Sequence, residues 1–156
     1  MSVTRIEETS FPTPASRKLV DLIERSANEL ATSYVQSLHR DPRMPKYQAF
    51  DQRDIFTRAY RVYSQLGMWI SRETTTEDMK EYWTALGRQR RIEGFPFSEI
   101  VLSLCHIRRQ LWDKVQAEGL LDTALDLHQA MDLHHRAVLF FDRAIYFAAV
   151  GYEERS

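Results

Sequence analysis

The chain has 156 residues, and its 21 lysines and arginines nearly balance its 22 aspartates and glutamates, which leaves a formal net charge of −1. This length can bury a single core without metals, and the one cysteine, Cys105, excludes an internal disulfide. The balanced charge argues against nucleic acid and anionic membranes as partners. No signal peptide or transmembrane stretch can be recognised, so we expect a cytoplasmic protein with no membrane contact.

The spacing of apolar residues follows the helical period, and no segment alternates apolar and polar residues for long. We therefore predict an all-α fold of five helices. Residues 1–13 are expected to be a flexible terminus, residues 14–152 one helical domain, and residues 153–156 a tail. Pro14 is suited to the first helical position, and Asp41-Pro42 ends the first helix.

The middle of the chain carries clear helix boundaries. The segment 41–50 has two prolines and predicts a long loop, after which Asp51 caps a second helix. Thr75 begins a third helix, which Gly94 ends. Ser98 is expected to cap the fourth helix.

The fourth helix has one residue that departs from its apolar pattern. Glu99 and His106 are expected on its polar, solvated side, opposite the apolar arc. Arg108 falls in the middle of that arc, where a permanent charge is costly unless a partner accompanies it. We therefore regard Arg108 as a candidate ligand-binding residue.

The fifth helix is the longest and follows a tight reversal, which predicts that it pairs antiparallel with the fourth. It has two apolar stripes, whereas a compact monomer normally needs only one on its last helix. The first stripe is expected to face the core and consists of Ala124, Leu127, Met131, His134, Val138, Phe141, Ile145 and Ala148. The second stripe is expected to form a homodimer interface and consists of Leu133, Ala137, Phe140, Ala144 and Phe147.

Arg108 and His134 should reach nearly the same level of this helical pair, since they lie at similar distances from the reversal. Two basic groups at one level require a neutral histidine or an acceptor between them, such as a ligand carboxylate or an acid of the dimer partner. The alternative is that Arg108 extends to the surface or binds backbone carbonyls.

Motifs for catalysis and cofactors are missing from the sequence. It contains no phosphate-binding glycine loop, no HExxH, no CxxC and no GxSxG, so we expect neither an enzyme nor a metal site. We also expect no cofactor. One alternative is kept open, a haem-binding globin gas sensor that uses His134 or His106.

Three motifs resemble the N-terminal sensor domain of the RsbR/RsbRD co-antagonist family, which also precedes bacterial histidine kinases. They are Gly94-Phe-Pro-Phe-Ser98-Glu99, then Arg108-Arg109-x-Leu-Trp112, and the ending from Phe141-Asp142 to Gly151-Tyr152-Glu153. The resemblance spans roughly residues 16–153. It implies a globin-related helical fold without haem, dimerisation through the last two helices, and passage of an unknown signal to a STAS or kinase output domain. We therefore expect a sensory or scaffold domain of bacterial signal transduction, with the stress response and the stressosome as its context.

Overall fold

The computed structural model describes residues 14–70, 76–118 and 122–154, and this part of the chain is helical without any strand. The all-α prediction is thus confirmed. The described residues form eight helices rather than the predicted five: α1 Pro14–Arg25, α2 Ala27–His39, α3 Pro45–Ala49, α4 Gln52–Ser64, α5 Leu66–Ile70, α6 Thr76–Ile92, α7 Phe97–Glu118 and α8 Ala124–Glu153.

Two of the extra helices result from breaks at single residues. Ser26, with φ −97° and ψ 12°, separates α1 from α2, and Gln65, with φ −116° and ψ 22°, separates α4 from α5. Apolar residues on both sides of the first break, Ile23 and Ala27, are buried. A one-residue break changes the direction of a helix but leaves the spacing of its apolar residues intact, so the pattern did not reveal it.

Several predicted boundaries agree with the structure. Helix α2 ends at His39, and the Asp51 side chain caps α4 by accepting from the backbone N–H groups of Arg53 and Asp54. The predicted loop 41–50, in contrast, contains α3. Thr75 lies outside the described residues.

The turn from α6 into α7 follows the expected glycine stop. Gly94 has φ 89°, its N–H donates to the carbonyl of Arg91, and the N–H of Phe95 donates to that of Arg90. This is the Schellman arrangement, in which glycine adopts the left-handed conformation at little cost. Helix α7 then begins at Phe97, one residue before Ser98, so Ser98 is a helical residue rather than the predicted cap.

Helix α8 packs most extensively against α6, rather than against α7 as the predicted antiparallel pair implies. Glycine makes this close crossing possible. A Cβ on Gly87 would lie 2.0 Å from the carbonyl oxygen of Ala148, and one on Gly151 would lie 1.9 Å from that of Thr84. The two backbones therefore touch at two points, and no larger residue fits either.

Candidate functional site

Arg108 and His134, the two residues predicted to bind a ligand, do not share a hydrogen-bond acceptor in the described part of the chain. Arg108 is half-buried, and no hydrogen bond or ion pair joins it to another described residue. His134 is exposed, and its ring packs against Trp112, with centroids 4.8 Å apart. Since Trp112 lies one turn beyond Arg108 on α7, the structure places His134 near the predicted level but beside an aromatic ring rather than an acid.

The structure buries the second stripe of α8 more completely than the first, of which only Phe141 and Ala148 are buried. Four of the five proposed interface residues, Leu133, Ala137, Phe140 and Ala144, are buried in the chain's own core, and Phe147 is partly buried against it. Phe140 contacts the rings of Trp69, Trp83 and Phe141. The assignment of this stripe to a dimer interface is therefore wrong, because α6 and α5 already cover it.

The other side of α8 is exposed and apolar. Five of the nine large hydrophobic residues exposed in the described part of the chain lie on α8. Four of them fall within about one third of the helix circumference at about 100° per residue. We call this set the outer stripe, and it consists of Leu127, Met131, Leu139 and Tyr146.

A buried polar cluster joins the end of α2 to the middle of α7. His106 lies between Ser37, whose Oγ is 3.0 Å from Nδ1, and Asp41, whose Oδ2 is 2.8 Å from Nε2. The Ser37 hydroxyl donates to the carbonyl of Tyr34 at 2.7 Å, and Arg43 donates to both carboxylate oxygens of Asp41. The expectation that His106 is solvated is therefore wrong, because these partners, which lie 65 or more positions away, satisfy its ring in the interior.

The cluster contains the residue types of a hydrolase triad, but its geometry points to a structural role. A nucleophile must reach a substrate, whereas Ser37 and His106 are buried and neither lines the cavity described below. Hydrogen bonds from Arg43, and then from His106, hold the pKa of the Asp41 carboxyl well below its usual value. An ionised acid thus fixes the imidazole. Because both ring nitrogens are engaged, His106 could ligate haem iron only by giving up one of these bonds.

Glu99 is a second buried acid that the sequence placed on the solvated side of α7. Its carboxylate accepts from the backbone N–H groups of Lys46, at 2.9 Å, and Tyr47, at 3.1 Å. These N–H groups belong to the first turn of α3 and have no partner within that helix. Glu99 therefore attaches α3 to α7.

A cavity of about 40 Å³ lies between α2, α3, α4, α6 and α7. Aliphatic side chains form much of its wall, and Tyr34 donates a hydrogen bond to Ser103 across 3.2 Å within it. Burial raises the pKa of the hydroxyls of both Tyr34 and Tyr47, so both hydroxyls are neutral. The polar side chains of the wall are Tyr34, Tyr47, Arg58, Trp83, Arg90 and Ser103.

Three of these side chains carry buried donors that have no acceptor among the described residues. They are Nη1 of Arg58, Nε1 of Trp83 and Nε of Arg90. The two remaining buried side-chain atoms without a partner, on Thr84 and Glu93, belong to residues that do not line the cavity. Buried polar groups are normally hydrogen-bonded, so three free donors around one cavity require an explanation.

Two carboxylates, those of Asp54 and Glu93, lie near the two arginines and balance their formal charge, but they contact them unequally. Arg58 Nη2 lies 2.6 Å from Asp54 and 2.8 Å from Glu93. Although burial alone would raise the pKa of Glu93, hydrogen bonds from Arg58 and Gln89 lower it below its usual value. Arg90 Nη1 is 3.6 Å from Glu93, beyond hydrogen-bond distance. The guanidinium of Arg90, which is 8% exposed, is therefore the less completely paired of the two.

Arg90 continues the apolar stripe of α6 in the sequence. An arginine on an apolar stripe is the same signal that drew attention to Arg108. At position 90 the side chain is buried, and at position 108 it is half-buried. The period of the pattern identifies both as unusual but does not say which one the neighbouring helices cover.

No family model matches this sequence, and neither a curated protein nor a solved structure matches it. None of the described helices combines the length and the apolar character that crossing a membrane requires. Across residues 14–70, 76–118 and 122–154, no three His, Cys, Asp or Glu side chains are grouped so that they could hold a metal ion.

Proposed function

We propose that this chain is a non-haem, globin-like sensory or scaffold domain of a bacterial signal-transduction protein. In this function it forms a homodimer and passes a signal to an output module such as a STAS or kinase domain. The outer stripe of α8 is the observation that carries the proposal. A 30-residue helix that is buried on one side and apolar on the other can connect the core of the domain to a partner.

A second copy of the chain is the occupant that we propose for the outer stripe. Its exposed leucine, methionine and tyrosine side chains alternate with His128, His135 and Asp142 within the same arc. Polar groups that can donate and accept hydrogen bonds on one face can pair across a two-fold axis, since each subunit presents the same surface to the other. Alternation of this kind suits a self-complementary contact better than a membrane surface, which would meet an uninterrupted apolar face.

The homodimer is tested by charge substitution on the outer stripe. Met131→Glu combined with Leu139→Glu should convert the dimer to a folded monomer in sedimentation, because two desolvated carboxylates would face each other across the interface. Leu125→Glu is the matched control, since Leu125 is an exposed leucine of the same helix that lies outside the stripe. A double variant that remains dimeric, or a wild-type chain that is monomeric at high concentration, would refute the proposed interface.

A further inference from the structure

The cavity bounded by α2, α3, α4, α6 and α7 has properties that its role in packing does not explain. Three of the residues that line it, Arg58, Trp83 and Arg90, each carry a buried donor that has no acceptor among the described residues. An unpaired donor in the interior loses its hydration and gains nothing in return. A guest that accepts hydrogen bonds would remove this penalty at all three positions together.

The type of donor indicates the charge of the guest. All three free atoms are N–H groups, and two of them belong to guanidinium groups, which pair best with carboxylates. Arg90 is the expected anchor, because its contact with Glu93 is too long for a hydrogen bond.

The size and the remaining wall of the cavity limit the guest further. Since one water needs at least about 10–15 Å³, a volume of about 40 Å³ accommodates roughly three water-sized groups. Aliphatic residues such as Val62, Leu86 and Ile107 complete the wall and suit a methyl or methylene group. Tyr82, which also lines the cavity, is 41% exposed and gives it an edge at the surface.

We propose that this cavity is a binding site for a short aliphatic monocarboxylate of the size of acetate. Its carboxylate accepts hydrogen bonds from Arg90, Arg58 and Trp83, and its alkyl group contacts the aliphatic wall. The inference that such a carboxylate is the ligand of a sensory domain rests on the proposed function. Binding itself is a property of the isolated chain and is measured without an output module.

The indole N–H of Trp83 provides a direct probe of binding. The chain has three tryptophans, so its NMR spectrum holds three indole N–H signals, and Trp83→Phe identifies the one from the cavity. Sodium acetate replaces sodium chloride at constant ionic strength and pH. We expect the Trp83 signal to shift and saturate, while that of Trp112, which lies outside the cavity, stays in place. Neutral acetamide has the same shape as acetate and should bind about tenfold more weakly, because it lacks the charge that strengthens the hydrogen bonds.

Two arginine variants separate the cavity from other sites. Arg90→Met should abolish the saturable shift, whereas Arg88→Met, which removes an exposed arginine paired with Glu154, should preserve it. If Arg90→Met does not fold, Arg58→Met takes its place.

The proposal is overturned if the Trp83 signal does not respond to acetate, responds equally to acetamide, or still saturates in the arginine variant. The first outcome would assign the cavity to water, the second would assign it to a guest whose charge does not matter, and the third would show that acetate acts without the arginine. They would leave the dimer measured by sedimentation unaffected, so failure of this inference and failure of the proposed function are distinguishable.

Discussion

Helix α7 borders two buried polar regions that differ in one respect. At His106, both ring nitrogens, the Ser37 hydroxyl and the carboxylate of Asp41 all have partners. One turn earlier, Ser103 faces the cavity, where donors of Arg90 and Trp83 have none among the described residues. A region whose polar groups are all paired holds helices together, whereas a region with unpaired donors is suited to a guest. We therefore interpret the first region as structural and the second as a binding site.

The largest effect on the free energy of unfolding is expected where α6 crosses α8. Helix α6 is the one that carries Arg90 and Trp83. Gly87→Ala would place a Cβ 2.0 Å from the carbonyl oxygen of Ala148, so the two backbones must separate. We expect a loss of about 4 kcal/mol in the free energy of unfolding, measured with urea, or failure to fold. Gly67→Ala is the control, because the nearest atom to its Cβ is a side-chain oxygen of Glu24 at 3.0 Å, which can move more easily than a backbone carbonyl although it accepts from the Gly67 N–H. Equal losses in both variants would show that the close crossing does not limit stability.

A smaller but still large effect is expected at the paired cluster. His106→Leu leaves the buried Asp41 and Ser37 without their shared partner and should reduce the free energy of unfolding by about 3 kcal/mol. His39→Leu, which removes an exposed histidine bonded to Gln52, should cost less than about 1 kcal/mol. If His106→Leu proves as mild as this control, the cluster is not the structural connection that we describe.

The sequence predicted the features that depend on local chemistry. Asp51 caps its helix, Gly94 adopts the left-handed conformation that ends α6, and α2 ends just before Asp41-Pro42. Each depends on residues within a few positions of one another. The break at Ser26 escaped prediction because it leaves the apolar period unchanged.

The features that the sequence missed depend on distant partners. Glu99 and His106 are buried beside hydrogen-bond partners that lie more than 50 positions away in the sequence. The spacing of residues within α7 could therefore only assign them to its polar side. The two stripes of α8 have similar apolar character and the same period. What decides between them is the approach of α6, which Gly87 and Gly151 permit. Gly151 was the signal available in the sequence, because a small residue on the last helix marks the side where another backbone can come close.

The candidate site likewise combines a feature that the sequence reveals with contacts that depend on distant partners. An arginine on an apolar stripe was recognised as unusual from the sequence at position 108, yet the buried example is Arg90. Pairing can be judged only when the neighbouring helices are in place, since the contacts of Arg58 and Glu93 join α4 to the end of α6. The volume of the cavity likewise depends on how five helices meet.

The smallest expected effect on stability provides the most direct test of the contrast between the two polar regions. Arg90→Met replaces a buried guanidinium that lacks a partner for Nε with an apolar side chain of similar length. Urea unfolding in buffer without carboxylates should change by less than about 1 kcal/mol, because the contact of Arg90 with Glu93 is too long for a hydrogen bond and Glu93 keeps its shorter contact with Arg58. A loss as large as that of His106→Leu would contradict the account, since it would show that Arg90, like His106, is held in place to stabilise the fold.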